Sequence, residues 1–320
     1  MSYTVTGYDK HCRLCQNPPR DEAKAMFVKD VTSDRVVIET PAKINLFLKV
    51  LNKRPDGYHN INSLMQAVSL FDRLTIRRTA EPGVRITQVA GDPVPSDSSN
   101  LIARAFARMA SELALSGGLE VTLAKEIPAS AGLGGGSSDA AATLLAVNLL
   151  YDCRLDRNQL ATIGAEIGSD VPFFFSSGQV LATGKGEVIE TVELPQEYWL
   201  LLVKPELAVS TAAAYAELKR PLTALGKPVK FRRYKTVRDL VCWLHQTVND
   251  FEATRVGENP AMLQIRQWLD SLGASLVRMS GSGPTMYGLF TVNPERELPR
   301  RYNRKNWWIK VVSPVRILEL

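Results

Sequence analysis

Only four cysteines occur in 320 residues, at positions 12, 15, 153 and 242. So few, scattered so widely, make no disulfide framework in a chain of this length. Histidine is scarcer still, with three residues. Cys12 and Cys15 form a C-x-x-C beside His11, but no second C-x-x-C or paired histidines complete the four ligands that zinc takes, so no metal site is expected. Long apolar runs are missing. The stretch at 198–203 falls far short of the roughly 20 residues that span a bilayer, and no membrane segment is expected. The first 33 residues lack the apolar core of a secretory signal, and Asp9, Asp21, Glu22 and Asp30 argue against an acid-poor transit peptide. A cytoplasmic protein is the expectation. Neither an internal repeat nor a low-complexity tract is visible.

What is present is the make-up of a globular chain: 45% hydrophobic and 22% charged side chains, enough for a full core and for two domains. The net charge of +6 is concentrated in two places. "GKPVKFRRYKTVR" at 226–238 carries six basic residues and "RRYNRKNWWIK" at 300–310 carries five. Such runs suit nucleic acid or, more commonly, solvated loop faces. The second reading is taken here, with no nucleic-acid partner.

Ile44, Leu46, Leu48 and Val50 recur with period two and predict a half-buried strand. Ser99 or Asn100 caps a helix running through Leu115, "GLEVTLAKEI" alternates as a strand, and a helix follows over 138–151. Asp156 caps the next helix. "GQVLATGKGEVIETVEL" reads as a hairpin, "YWLLLVK" as a strand, and "STAAAYAELK", "TVRDLVCWLHQTVNDFE" and "PAMLQIRQWLDSLG" as helices. "ASLVRMSGSGPTMYGLFTV" reads as strand, tight turn and strand, and "NWWIKVV" as a strand with one buried face. Helices and strands mix without regular β-α-β alternation, which indicates an α+β fold.

The most informative segment is "PASAGLGGGSSDAAATLLAVNLLY" at 128–151. Glycines at 132, 134, 135 and 136 remove the side chains that would keep a ligand off the backbone, just ahead of a helix whose first N–H groups are unpaired. With a Ser137-Ser138-Asp139 cap, this is an anion cradle, and the helix end adds about 0.3–1 kcal/mol for a nearby anion. No lysine precedes Ser137, so it is no Walker A loop, and Ser137 stands where a dinucleotide fingerprint needs glycine.

"PAKINLFL" at 41–48, "GLGGGSSDAA" at 132–141 and "SGSGPT" at 280–285, in that order, resemble the three motifs of the GHMP kinases. "RPDGYHNINSLMQ" at 54–66 and "GSDVPFF" at 168–174 resemble the members that act on a cytidine-diphosphate sugar alcohol of the non-mevalonate isoprenoid pathway. The likeness covers residues 34–320. It implies the two-domain α+β GHMP kinase fold: a ribosomal protein S5 domain 2-like domain over 34–198 and a ferredoxin-like domain over 199–320. Residues 1–33 are left as an extension without an assigned role.

The activity implied is transfer of the γ-phosphoryl of ATP to a tertiary 2-hydroxyl, with Mg²⁺ carried mainly by the nucleotide, in a monomer or homodimer. The resemblance makes Lys43 and Asp170 the reacting pair, although an edge-strand lysine and a helix-capping aspartate would look the same in sequence. ATP is placed on Pro128, Ala129, Ser130, Ala131, Gly132, Leu133, Gly134, Gly135, Gly136, Ser137 and Ser138. Asn100 and Lys125 are placed at the adenine end, and Ser138 within reach of Mg²⁺. Asp139 is expected to favour the helix N-terminus rather than bind metal. Tyr58 and His59 are implied to hold the cytosine, Asn45 the alcohol end, and Thr211 and Tyr215 the cytidine side. In "SGSGPT", Gly281 and Gly283 are expected to allow close approach to the glycine loop, with Ser280 and Ser282 as phosphate donors. A mevalonate- or homoserine-kinase type of enzyme, and a non-catalytic nucleotide- or RNA-binding protein, are the alternatives.

Overall fold

The structure is a computed structural model and describes residues 27–218, 228–296 and 306–317. Cys12, Cys15 and parts of both basic runs lie outside the described residues.

Two long strands, β1 (Phe27–Val31) aside, frame the molecule: β2 (Arg35–Lys53) and β3 (His59–Thr79), paired antiparallel along most of their length. Gly57, at φ 86°, turns the chain between them. β1 pairs with β2, so the sheet begins ahead of residue 34, where the resemblance starts. β4 (Gly83–Ala90), α1 (Leu101–Leu113) and β5 (Gly118–Ala124) form a parallel crossover, with β5 seated between β4 and the far half of β3. α2 (Gly135–Leu150) and α3 (Arg157–Ile167) follow, and the hairpin of β6 (Gln179–Thr183) and β7 (Val188–Thr191) joins the near half of β3. The result is a seven-stranded sheet with helices packed on one face.

A second, four-stranded antiparallel sheet has the order β11-β8-β10-β9. Its strands are β8 (Trp199–Lys204), β9 (Leu276–Met279), β10 (Met286–Phe290) and β11 (Trp308–Val312), with α4 (Thr211–Glu217), α5 (Val237–Leu244) and α6 (Pro260–Ser271) in the connections. Ala42, Ile44, Leu46, Leu64 and Leu70 of the first sheet pack against Leu200, Leu202, Tyr287 and Leu289 of the second. This layer alters one expectation. Every residue from 40 to 48 is buried, not alternate ones, because helices cover one face of β2 and the second sheet covers the other. Pro41, which has no N–H for a ladder, sits at a register irregularity. Residues 313–317 return to the first sheet, where Val315 N–H donates to Ala67 O at 2.9 Å and Gln66 Nε2 donates to Val315 O at 2.9 Å.

Two of the caps follow the sequence reading. Asn100 accepts from Ile102 N–H, and Asp156 forms a reciprocal capping box with Gln159. α5 is shorter than expected. After Leu244 the chain is drawn out of the helix, because the buried Arg278 takes the Leu244 and Thr247 carbonyls and Leu48 N–H takes Val248 O. A 3-10 turn, Asp250–Ala253, ends the segment.

Candidate active site

Lys43 is held from every side. Its N–H donates to Leu133 O at 2.9 Å, and its Nζ lies 2.7 Å from Asn45 Oδ1 and 3.2 Å from Asp170 Oδ2. The lysine is 3% exposed, whereas the Asp170 side chain retains 29%, so the pair forms the floor of a cleft with the carboxylate toward its mouth. Asp170 stands in the turn between Gly168, where α3 ends, and the buried Pro172–Phe175 turn. A Cβ at Gly134 would lie 2.9 Å from Lys43 Cγ, so glycine there makes room for the lysine stem.

α2 starts three residues earlier than the sequence reading placed it, at Gly135, with Gly134 at φ 73° as its cap. The expected Ser137-Ser138-Asp139 cap lies inside the helix. Gly134 takes the left-handed backbone that glycine adopts without strain, and Ser138 N–H already bonds Gly134 O at 2.9 Å, closing the first turn. The N–H groups of Gly135, Gly136 and Ser137 therefore have no acceptor within the helix and open on the cleft. Residues 128–132 and 134–137 line this cleft of ≈ 400 Å³ together with Lys43, Asn45 and Asp170.

The third motif meets the glycine turn as expected. A Cβ at Gly132 would sit 2.2 Å from Ser280 O, and Ser280 Oγ donates to Gly132 O at 2.8 Å. That bond engages the Ser280 hydroxyl in joining the two loops instead of facing phosphates. Ser282 lines the cleft, 3.1 Å from Thr211 Oγ1.

Four of the residues expected to hold ATP do not line the cleft. Leu133 is buried, with its carbonyl on Lys43. Asn100 has its amide engaged by the helix start and by Pro95 O. The Ser138 hydroxyl is fully buried and donates to Pro41 O at 2.6 Å, so the serine facing the cleft is Ser137. Lys125 is 5% exposed and paired with Asp72 and, at 2.9 Å, with Asp139. Asp139 is thus not an exposed helix-end charge but one of three members of a buried group with Lys125 and Asp72. Burial pushes its carboxyl up to about 7 against the pull of Lys125, and raises Asp72 likewise. Burial alone would lower Lys125, but Asp139 and Asp72 together outweigh it and raise its pKa. Asp72 also accepts from the N–H groups of Glu126 and Ile127, at 2.7 and 2.9 Å. Withdrawing one member of such a buried group costs about 3–5 kcal/mol, which makes it a brace under the glycine turn. Asp72 had a sequence signal: it shares parity with Leu70 and Leu74 on a buried face, where an acid needs a partner. Ser63, which takes Asn45 Nδ2 at 2.8 Å, had none.

A second cavity of ≈ 560 Å³ adjoins the first and shares Ser169, Lys185, Thr211 and Tyr215 with it. Tyr58 and His59 line it, and Tyr58 is 57% exposed. His59 does not pair with Tyr58 as a stack. Its ring lies on Tyr215 instead, centroids 5.1 Å apart and planes within 20°. Burial, then the charge of Lys53, holds the His59 ring below its usual pKa, and burial pushes the Tyr215 phenol up to about 12. Among the described residues, no group of three or more His, Cys, Asp or Glu side chains is placed to hold a metal, and no helix is long and apolar enough to cross a membrane.

An anion-binding helix start beside a lysine–aspartate pair, across two sheets, is the arrangement of a small-molecule kinase. Residues 100–178 match the model of the GHMP kinases N terminal domain, and 219–306 that of the GHMP kinases C terminal domain. The chain belongs to the GHMP kinase family.

Within that family, it is 38% identical over 292 residues to the 4-diphosphocytidyl-2-C-methyl-D-erythritol kinase of Bacillus cereus strain B4264, covering 89% of this chain and 97% of that one. It is 39% identical over 285 residues to the enzyme of the same name from Exiguobacterium sibiricum, covering 88% and 98%. A crystal structure of 4-(cytidine 5'-diphospho)-2C-methyl-D-erythritol kinase superposes with a TM-score of 0.69 at 30% identity, over 87% of this chain and 99% of that one. Homoserine kinase from Cytophaga hutchinsonii shares the fold, with a TM-score of 0.63 at 20% identity over 91% and 97%.

Proposed function

We propose that the protein phosphorylates the 2-hydroxyl of 4-diphosphocytidyl-2-C-methyl-D-erythritol with ATP, giving the 2-phosphate and ADP, in the non-mevalonate route to isoprenoid precursors. The observation that carries this reading is the 3.2 Å contact of Lys43 with Asp170, set between the glycine turn and the aromatic cavity. Relatives of this identity and coverage, named for that reaction, support it.

Phosphoryl transfer has a loose transition state, so the protein's work is positioning and charge stabilisation. The N–H groups of Gly135, Gly136 and Ser137 receive the nucleotide's phosphates. Asp170 orients the acceptor hydroxyl and takes its proton as the new O–P bond forms and the bond to the β-phosphate oxygen breaks. Lys43, fixed by Asn45 and 3.2 Å from Asp170, steadies the alkoxide that develops. Magnesium, when bound, neutralises charge on the transferring phosphates. Of the two serines at the helix start, Ser137 is the one whose hydroxyl would be available to it, since that of Ser138 is engaged by Pro41. Tyr58, His59 and Tyr215 supply flat surfaces for the cytosine.

The enzyme is read as a cytoplasmic monomer or homodimer without a nucleic-acid partner. A coupled ADP-release assay offering diphosphocytidyl-methylerythritol, mevalonate and homoserine in parallel tests the reading. ADP release is expected with the first alone. Release with either of the others in its place overturns the substrate assignment.

A further inference from the structure

Lys185 lines the cleft and is left unused by this mechanism. The turn joining β6 to β7 carries Lys185 between Gly184 and Gly186, at φ 66° and 118°. It is pinned at both ends of the cleft. Ile61 N–H, two residues from His59, donates to Gly184 O at 2.7 Å. Gly186 packs on Ser169, the neighbour of Asp170, where an added Cβ would lie 3.7 Å from the serine. Three lysines line the two cavities. Lys43 belongs to the reacting end and Lys53 to the aromatic end, and Lys185 alone lines both. Its Nζ lies 4.9 Å from the Tyr58 ring centroid, and among the described residues no carboxylate is paired with it.

A half-buried ammonium that forms no salt bridge, at the waist of a cleft and with only the exposed Asp56 carboxylate acting on it from beyond ion-pair distance, can take an anion there. We propose that Lys185 binds the diphosphate bridge of the acceptor, and so selects a nucleoside-diphosphate-linked alcohol over a plain one. The inference rests on the reading of the cleft as that of a kinase for a diphosphocytidyl acceptor. Such a molecule has a base at one end, an alcohol at the other and its negative charge between them, in the same order as the aromatic rings, Lys185 and the Lys43–Asp170 pair. A cation over an exposed tyrosine ring is weakly held. On binding, the base takes the ring and the phosphates take the amine, so both groups keep a partner.

Lys185→Met and Lys185→Arg test this by steady-state kinetics, with cytidine 5'-diphosphate and cytidine as inhibitors competitive with the acceptor. Lys185→Met is expected to raise the acceptor KM roughly 10- to 100-fold, as a lost charge-assisted hydrogen bond would, with the ATP KM unchanged within about twofold. It should also abolish the advantage of the diphosphate over the bare nucleoside as inhibitor, and Lys185→Arg should restore both. An unchanged acceptor KM and inhibitor ratio overturns the proposal, as does an equal rise in both KM values, which marks the turn as a scaffold only. A wild-type enzyme that releases no ADP with the acceptor sinks the kinase reading and this inference with it.

Discussion

Lys43 and Asp170 lie 127 positions apart in the chain, yet a 3.2 Å contact joins them. If they act as proposed, Lys43→Ala and Asp170→Asn each lower turnover by roughly 10² to 10⁴, the worth of positioned acid–base help. Nucleotide affinity should stay near wild type in both, and so should the melting temperature of Asp170→Asn, whereas loss of the buried Lys43 stem lowers it. Turnover rates with a fluorescent-nucleotide titration read this, and a near-wild-type rate in either variant removes the role. His59 presents a different case. Its depressed pKa leaves the ring neutral at pH 7, able to donate at one nitrogen and accept at the other against a cytosine edge. His59→Ala should raise the acceptor KM and leave the ATP KM alone, and an unmoved acceptor KM would place the base elsewhere.

The glycine turn shows how one short element serves several purposes. Gly132, at φ 76°, lies against Ser280 O, whereas Gly136 has ordinary helical backbone and only Leu101 Cδ1, 3.5 Å from an added Cβ. Gly132→Ala should therefore lower the melting temperature and the activity together. Gly136→Ala should hold or raise stability, since alanine is favoured over glycine in a helix by about 1 kcal/mol, while its methyl in the cleft raises the ATP KM. Thermal melts and ATP titrations separate the two, and parallel behaviour of the variants would refute the distinction. The loop's anion-binding character was legible from its composition. The helix start was not, because serine and aspartate signal a cap only when no glycine upstream has already closed the first turn.

Across the first domain, β3, the end of β5 and α2 converge on the buried group of Lys125, Asp72 and Asp139. The Asp139 carboxyl has a folded pKa raised to about 7 from 3.8, so the folded state holds that proton more tightly than the unfolded chain does. Its contribution to stability is complete below pH 3.8 and is lost as the pH rises toward 7. Asp139→Asn cannot titrate at this site. The urea midpoint of wild type minus that of the variant should therefore fall between pH 4 and 7, and a flat difference would mean that the carboxyl is not raised. We further propose the division between the two domains at the β7–β8 connection, with residues 313–317 as a tie back to the first sheet.

Most of the helices and strands, the Asn100 and Asp156 caps, the glycine turn and the family membership were legible in the chain itself, because spacing, capping and backbone freedom are local properties. The resemblance also named the partners Lys43 and Asp170. Tertiary structure alone decided which polar groups remained available. It turned Ser138, Ser280 and Lys125 inward to satisfy carbonyls and carboxylates, and left Ser137 and Lys185 facing the cleft. Burial makes a polar atom take a partner, and its partners here come from distant segments that no local pattern can identify.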